Sequence, residues 1–289
     1  MDSITIKAYA KVNLSLDIVG KRPNGYHEVE MIMQQITLCD HVTLIKQTGS
    51  ITIEANCYYV PSDERNIAYK IAKDVLDRYK IDSGLHIKID KVIPVAAGLA
   101  GGSADAAAVI KGINQLFDLG MDLETMKAIA VHHGADIPFC IEGGAAVARG
   151  IGEELEPIPS LENTWMVLVK PPIGVSTQSV YGSFDIDKVE RHPDNEALIQ
   201  AMRTNDSRFI ARNMYNVLEE VTSKKHKEIN ILERKMKEYG AMGTMMSGSG
   251  PTVFGIFKTY KKAEAAFKNL NRKHKEVFLV TTVGGGQHE

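Results

Sequence analysis

The stretch Pro94-Val-Ala-Ala-Gly-Leu-Ala-Gly-Gly-Ser-Ala-Asp-Ala-Ala-Ala108 decides how this chain is read. It sets a glycine-rich turn between a strand-like segment, Leu85 to Asp90, and an alanine-rich run, Ala104 to Phe117, where Val109, Ile110, Ile113 and Leu116 recur at helical spacing. A strand, a turn of small residues and a helix together make an anion site. Glycines let the backbone approach closely, and the helix that starts near Ser103 offers unpaired N–H groups and the positive end of its dipole. A triphosphate suits such a site. The turn is not a Walker A loop, because Gly98 to Ser103 lacks the lysine, and it is not the dinucleotide pattern G-x-G-x-x-G. Taken alone, the same residues also describe a Gly/Ala helix packed tightly on a neighbour.

Upstream, Ile6, Ala8, Ala10, Val12, Leu14, Leu16 and Ile18 alternate with polar residues, which is strand periodicity. Further strands are expected at Met31 to Cys39, His41 to Lys46 and Ser50 to Ala55, with a turn at Arg22-Pro-Asn-Gly25 and a helix over Asn66 to Tyr79. Leu123 to His133 reads as a helix, with Gly134 where a left-handed C-terminal cap belongs. Pro157 and Pro159 punctuate a loop-like stretch, Glu153 to Asn163, and the domain junction is placed there, giving domains 1–160 and 161–289.

Downstream the reading is a strand (Trp165 to Lys170), helices within Asn195 to Tyr239, a Gly-rich hairpin (Ala241 to Phe257), a helix (Lys261 to Leu270) and a last strand (Val277 to Val283). The order β-α-β-β-α-β is that of a ferredoxin-like domain. The fold class is therefore α+β.

The chain has 289 residues, 44% of them apolar and 24% charged, with 34 basic against 36 acidic side chains and a formal charge of −2. That balance leaves no footprint for a dedicated nucleic-acid or anionic-membrane binder. Cys39, Cys57 and Cys140 are odd in number and form no C-x-x-C, so neither a disulfide framework nor a zinc site is indicated and a cytoplasmic setting is expected. No long apolar run suggests a membrane span. The expected partners are small molecules, and the chain is expected to be a monomer or a homodimer.

Four further groups carry chemistry. Ser247-Gly-Ser-Gly-Pro-Thr252 is a second glycine cluster whose amides could close on phosphates, or simply a hairpin loop. Lys11 and Asn13 share one strand face, pointing either into a cleft or into solvent. Gly134-Ala-Asp-Ile-Pro-Phe139 puts Asp136 on a short loop after a helix, as a proton acceptor or as a turn residue. Asn24-Gly-Tyr-His27 offers a ring to stack on a planar base and an imidazole for its edge. His132-His133 lacks the i, i+4 spacing of helical metal ligands and reads as structural.

Lys11-Val-Asn-Leu14, Pro94 to Ala108 and Ser247 to Phe254, in that order, resemble the three motifs of the GHMP kinase superfamily over nearly the whole chain. The resemblance implies an N-terminal domain like ribosomal protein S5 domain 2, a C-terminal ferredoxin-like domain, and a kinase that uses ATP with Mg²⁺. Ala10 to Leu16, Arg22 to His27, Gly134 to Phe139 and Pro171-Pro172 are similar to the branch whose acceptor is 4-diphosphocytidyl-2-C-methyl-D-erythritol, phosphorylated on its 2-hydroxyl in the non-mevalonate route to isoprenoid precursors.

Carried over onto this sequence, Asp136 matches the catalytic base and Lys11 the lysine beside it. Asn13, Tyr26, His27, Tyr181, Gly248 and Ser249 match substrate-side positions. Asn66 and Lys91 match the adenine pocket. Pro94, Gly98, Leu99, Ala100, Gly101, Gly102, Ser103 and Ala104 match the phosphate loop, and Ser103 approaches the metal. The sequence departs from the pattern at Ala100, where many members have glycine. Homoserine, mevalonate or sugar kinases of the same superfamily, and a non-catalytic ligand-binding relative, are the alternatives.

Overall fold

The alternation from Ile6 to Ile18 becomes one long strand, β1 (Ser3–Lys21), and the two expected strands after it merge into another, β2 (His27–Gln47). The computed structural model describes residues 1–23 and 25–284, so Asn24 of the expected Arg22–Gly25 turn lies outside the described residues. β2 runs on through Asp40 because that carboxylate, although fully buried, accepts backbone N–H groups from Val92 and Ile93. A satisfied polar group need not interrupt a strand.

The chain divides into two compact units, each drawn from separate pieces of sequence. One comprises Met1–Ala10, Leu38–Val95 and Ala100–Gly143; the other comprises Lys11–Thr37, Ala96–Leu99 and the chain from Gly144 onward.

In the first unit, the second half of β2 pairs antiparallel with β4 (Gly84–Asp90), which pairs parallel with β3 (Thr52–Ala55). Four helices accompany them: α1 (Ile67–Arg78), α2 (Gly101–Leu116), α3 (Leu123–Ala130) and α4 (Ile137–Glu142). α1 turns Ala68, Ile71, Ala72 and Val75 inward at helical spacing, and Asn66 caps it by accepting from the Ala68 N–H at 2.9 Å. α2 packs closely, since a Cβ on Gly112 would come within 2.5 Å of Leu44.

α3 stops at Ala130, and Gly134 is not left-handed, contrary to the expected cap. The reason is a second helix immediately behind it. Ile137 N–H donates to Gly134 O, and Pro138 sits in the first turn of α4, where a missing N–H costs no helical bond.

In the second unit, the first half of β2 pairs with β5 (Ala145–Arg149), and β5 with β6 (Glu154–Ile158), all antiparallel. β6 occupies the stretch expected to be a loop. It pairs on one side only, so Pro157 sits in an edge strand, where proline is tolerated. β7 (Trp165–Lys170), β9 (Gly243–Met246), β10 (Val253–Phe257) and β11 (Glu276–Thr281) form an antiparallel sheet in the order β11-β7-β10-β9.

Helices α9 (Glu228–Glu238) and α10 (Tyr260–Asn271) cover that sheet, burying Val167, Val169, Leu232, Met236, Phe257 and Leu270 together. Each such side chain contributes roughly 1.5–3 kcal/mol. This is the ferredoxin-like order that the sequence predicts. The unit also holds α5 (Thr177–Gly182), α6 (Asn195–Arg203), α7 (Ser207–Asn213), the two-residue β8 (Tyr215–Asn216) beside β1, and α8 (Val217–Lys225). Among the described residues, no helix is long and apolar enough to cross a membrane.

Candidate functional site

Strand alternation places Lys11, Asn13, Ser15 and Asp17 on one face of β1, and that face is buried rather than solvated. Burial obliges each polar group to find a partner. Lys11 Nζ donates to Asn13 Oδ1 at 2.8 Å, while Asn13 Nδ2 meets Met31 Sδ, a weak acceptor, at 3.1 Å. Ser15 Oγ donates to Asn195 Oδ1 at 2.6 Å, and Asp17 receives His192 Nδ1 at 2.8 Å. The two rungs beyond Asn13 were not singled out in the sequence, although the same odd-position alternation runs through them.

The second glycine cluster joins this face. Ser247 Oγ accepts from Asn13 N–H at 3.3 Å and donates to Gly98 O at 2.9 Å, and Lys11 N–H donates to Leu99 O at 3.2 Å. Asn216 Nδ2 donates to the carbonyls of Met246 and Gly248, and Ser249 Oγ pairs with Thr177 Oγ1 at 2.9 Å. Ser247, Ser249 and Thr252 are buried, so the β9–β10 connection is not an ordinary surface hairpin loop. Gly98 and Gly248 are both left-handed, at φ 75° and 59°. A Cβ on Gly98 would clash with Ser247 O, and one on Gly248 would stand 3.5 Å from Asn13 Oδ1. Lys11, Asn13, Gly98, Leu99, Gly248 and Ser249 therefore converge.

An aromatic group stands in the same unit. The His27 ring lies 5.5 Å from Tyr181 on α5 and 6.2 Å, edge-on, from Phe184. Burial, helped by the nearby Lys21 charge, holds the His27 pKa below its ordinary value, so near neutral pH the imidazole can both donate and accept. Tyr26 keeps 59% of its surface exposed. Phe184 escaped notice in the sequence because it belongs to no regular element and carries no periodic signal.

In the first unit, Ala100 takes a left-handed conformation at φ 56° and leads directly into α2. Gly101, Gly102 and Ser103 form the first turn, where N–H groups have no helical partner, and Ala104 N–H donates to Ala100 O at 2.8 Å. A Cβ on Gly101 would lie 3.0 Å from Ile93 and 3.2 Å from Lys91 Nζ, whereas one on Gly102 would meet nothing within 4 Å.

Lys91 Nζ bridges Asp40 Oδ2 at 2.6 Å and Asp105 Oδ2 at 2.8 Å, all three side chains being almost fully buried. Burial lowers an ammonium pKa, but these two carboxylates more than offset it and raise that of Lys91. The Lys91 side chain thus ties the end of β4 to α2. Asn66 is likewise engaged as a cap and bonded to Pro61 O at 2.8 Å. Pro94 is buried between β4 and the loop, and Asp136 immediately precedes α4 without capping it. Lys111 Nζ, from the middle of α2, donates to Cys140 O in that short helix at 3.3 Å. Among the described residues, no group of three or more His, Cys, Asp or Glu side chains could cage a metal.

Comparison with known proteins follows the same lines. The GHMP kinases N terminal domain matches residues 66–144, and the GHMP kinases C terminal domain matches residues 195–276. The chain is 50% identical over 281 residues, 97% of each chain, to a 4-diphosphocytidyl-2-C-methyl-D-erythritol kinase of Alkaliphilus metalliredigens. A crystal structure of 4-(cytidine 5'-diphospho)-2C-methyl-D-erythritol kinase superposes with a TM-score of 0.82 at 31% identity, covering 98% of this chain and 100% of that one. A homoserine kinase structure from Cytophaga hutchinsonii shares the fold at a TM-score of 0.76 and 21% identity, with 99% and 96% of the two chains covered.

Proposed function

Since the chain belongs to the GHMP kinases, in the branch of the 4-diphosphocytidyl-2-C-methyl-D-erythritol kinases, we infer that it transfers the γ-phosphoryl group of ATP to the 2-hydroxyl of 4-diphosphocytidyl-2-C-methyl-D-erythritol. The products are the 2-phosphate and ADP, in the non-mevalonate route to isoprenoid precursors. The observation that carries this reading is the buried chain Lys11–Asn13–Ser247–Gly98 in the unit that also holds the His27, Tyr181 and Phe184 rings. It supports a polar reaction centre with an aromatic recess for a base.

Phosphoryl transfer needs positioning and charge neutralisation more than covalent chemistry. Asp136 accepts the proton of the attacking hydroxyl. Lys11, held by Asn13, offsets charge on the transferring group, and Asn13 orients the acceptor. Tyr26 stacks on the cytosine, His27 hydrogen-bonds its edge, and Tyr181 with Phe184 closes the recess. Gly248 and Ser249 line the acceptor side, while Gly98 to Ala104 receive the phosphates, with Pro94, Asn66 and Lys91 framing the adenine end.

The donor set fits a magnesium ion carried by the nucleotide, with Ser103 beside it, because Mg²⁺ is usually held through phosphates and few protein oxygens. When bound, the ion draws charge from the β- and γ-phosphates. The protein works in the cytoplasm on small molecules, independent of nucleic acid and membrane, as a monomer or homodimer. The match of separate N- and C-terminal families supports keeping the domains as 1–160 and 161–289, the boundary falling in the interval between them.

The test is ADP release by the purified protein with the cytidyl substrate beside the same diphosphate lacking cytosine, with Asp136→Asn run in parallel. Turnover that ignores the cytosine would refute the acceptor assignment. Turnover within tenfold of wild type in Asp136→Asn would remove that residue from the mechanism, since general-base help is worth about 10²–10⁴-fold.

A further inference from the structure

The rings that close the proposed base recess stand on a stretch with little packing of its own. Residues 171–194, between β7 and α6, carry Tyr181 and Phe184, yet Val180 is the one buried residue of α5, and the short 3-10 turn that follows, Ile186–Lys188, buries none. A segment so sparsely packed takes its position from other attachments. Near its start Thr177 Oγ1 pairs with Ser249 Oγ at 2.9 Å, and at its end the chain is bonded to two strands.

Asn195, the first residue of α6, is buried and makes both of those end bonds through one amide. Its Oδ1 accepts from Ser15 Oγ on β1 at 2.6 Å, and its Nδ2 donates to Glu30 Oε1 on β2 at 2.7 Å. Both partners are themselves fixed: Ser15 Oγ accepts from Ile32 N–H at 3.1 Å, and Glu30 Oε2 accepts from Arg149 Nε on β5 at 2.9 Å. Chiefly through the bond from Asn195, against partial burial and with Arg149 helping, the Glu30 carboxyl is held below its ordinary pKa, so Asn195 donates to a charged acceptor. His192 adds a further rung, its Nδ1 standing 2.8 and 3.0 Å from the two carboxylate oxygens of Asp17. β2 begins at His27, the ring that Tyr181 and Phe184 face, so the segment meets the start of β2 twice, by rings at His27 and by the amide at Glu30.

We propose that Asn195 is a positioning residue that sets specificity for the acceptor: by locking the end of the 171–194 segment to Ser15 and Glu30, it fixes where Tyr181 and Phe184 stand over His27. This role rests on the reading of those rings as the recess for a base. With the end of the segment released, the cytosine loses a preformed wall and its binding must order the rings, while the turn from Gly98 to Ala104 keeps its geometry.

The experiment measures the Kd of the cytidyl acceptor by calorimetry, with KM for acceptor and for ATP taken from ADP release. Asn195→Leu, of similar size but with neither donor nor acceptor, is expected to weaken acceptor binding on the order of tenfold, a part of what base–aromatic stacking supplies, with kcat and KM for ATP within about twofold of wild type. Glu30→Gln, which keeps an acceptor for Asn195 Nδ2, is expected to stay close to wild type, and Glu30→Ala to approach Asn195→Leu. In a background of Tyr181→Ala with Phe184→Ala, Asn195→Leu is expected to add less than about twofold, since it acts through the rings. Acceptor affinity equal to wild type in Asn195→Leu, a matching rise in KM for ATP, or the full effect of Asn195→Leu in the background without the rings would each overturn the proposal.

Should Asn195→Leu not fold, Glu30→Ala decides by the same measures, its side chain being partly exposed and its loss leaving the strand intact. Weakened acceptor binding there with KM for ATP unmoved supports the proposal, and unchanged binding overturns it. The ring variant separates the two levels of inference: unchanged acceptor binding in Tyr181→Ala with Phe184→Ala removes the recess reading itself, whereas weakened binding there beside wild-type affinity in Asn195→Leu removes only the role of Asn195.

Discussion

Gly98 and Gly102 lie four residues apart in one glycine-rich turn, yet the protein needs them for different reasons. Gly98 is left-handed, and a side chain there would clash with the Ser247 carbonyl, so the fold itself demands glycine. Gly102 sits in a helical first turn with no atom within 4 Å of where a Cβ would stand, so the fold has no use for its smallness. On the proposed reading, the open space over Gly102 is where a phosphate comes close to the backbone. The same residue type is thus required by the fold at one end of the turn and, on the proposed function, by the nucleotide at the other.

The sharpest test of that division is Gly98→Ala. Its Cβ meets backbone rather than a movable side chain, and the left-handed φ adds strain, so a loss of about 3 kcal/mol or more is expected in urea unfolding. Folding within about 1 kcal/mol of wild type would mean that the 247–252 connection yields easily, and the contrast with Gly102 would fail.

Gly102→Ala is expected to do the opposite. Alanine is the better helix former, so stability should hold or rise by up to about 1 kcal/mol. Backbone approach to a phosphate would be blocked, and KM for ATP should increase on the order of tenfold with KM for the cytidyl acceptor unmoved. A variant that loses stability, or that raises both KM values together, would contradict the assignment.

The two units also differ in what their buried acids do. Asp105 lies beneath the start of α2, whereas Glu219 on α8 accepts Met246 N–H at 2.6 Å beside the ferredoxin-like sheet, with burial and the nearby Glu233 raising its pKa to about 8. The folded protein keeps that proton through neutral pH, while the unfolded chain releases it near the ordinary value of 4.5. Stability from Glu219 is therefore complete below about 4.5, falls as pH rises toward about 8 and is level beyond. Glu219→Gln removes this dependence, so its Tm should gain on wild type progressively from pH 5 to 8, with ADP affinity unaffected. A parallel Tm curve would show that Glu219 is ionised in the folded state.

How much of this was legible from residues alone follows from which signals are local. Strand alternation exposed β1, and the β-α-β-β-α-β order exposed the second sheet, because both depend on spacing along the chain. Alternation could not say that Lys11 and Asn13 are buried, since their cover, Ser247 with Gly98 and Leu99, comes from distant sequence. For the same reason the lysine placed at the adenine end, Lys91, gave no hint of Asp40 and Asp105, 51 and 14 residues away. The break expected near Asp40 and the loop expected at Pro157 misled because a buried acceptor and an edge position remove the usual penalties of those residues.

Ala100 tests the smallest difference. The family resemblance led to glycine there, and the residue occupies glycine's conformation, at φ 56°, immediately before α2. An alanine held left-handed costs roughly 1 kcal/mol, so Ala100→Gly relieves strain. Glycine also widens the unfolded ensemble, which costs roughly 0.4–1 kcal/mol in the other direction. The two nearly cancel, and a stability change within about 0.5 kcal/mol with unaltered KM for ATP is expected. A larger gain would mean that the turn stores strain which the surrounding packing sustains, and a tighter KM alongside it would mean that the strain opposes nucleotide binding. Either result would move Ala100 out of the group, headed by Gly98, whose conformation only the fold requires.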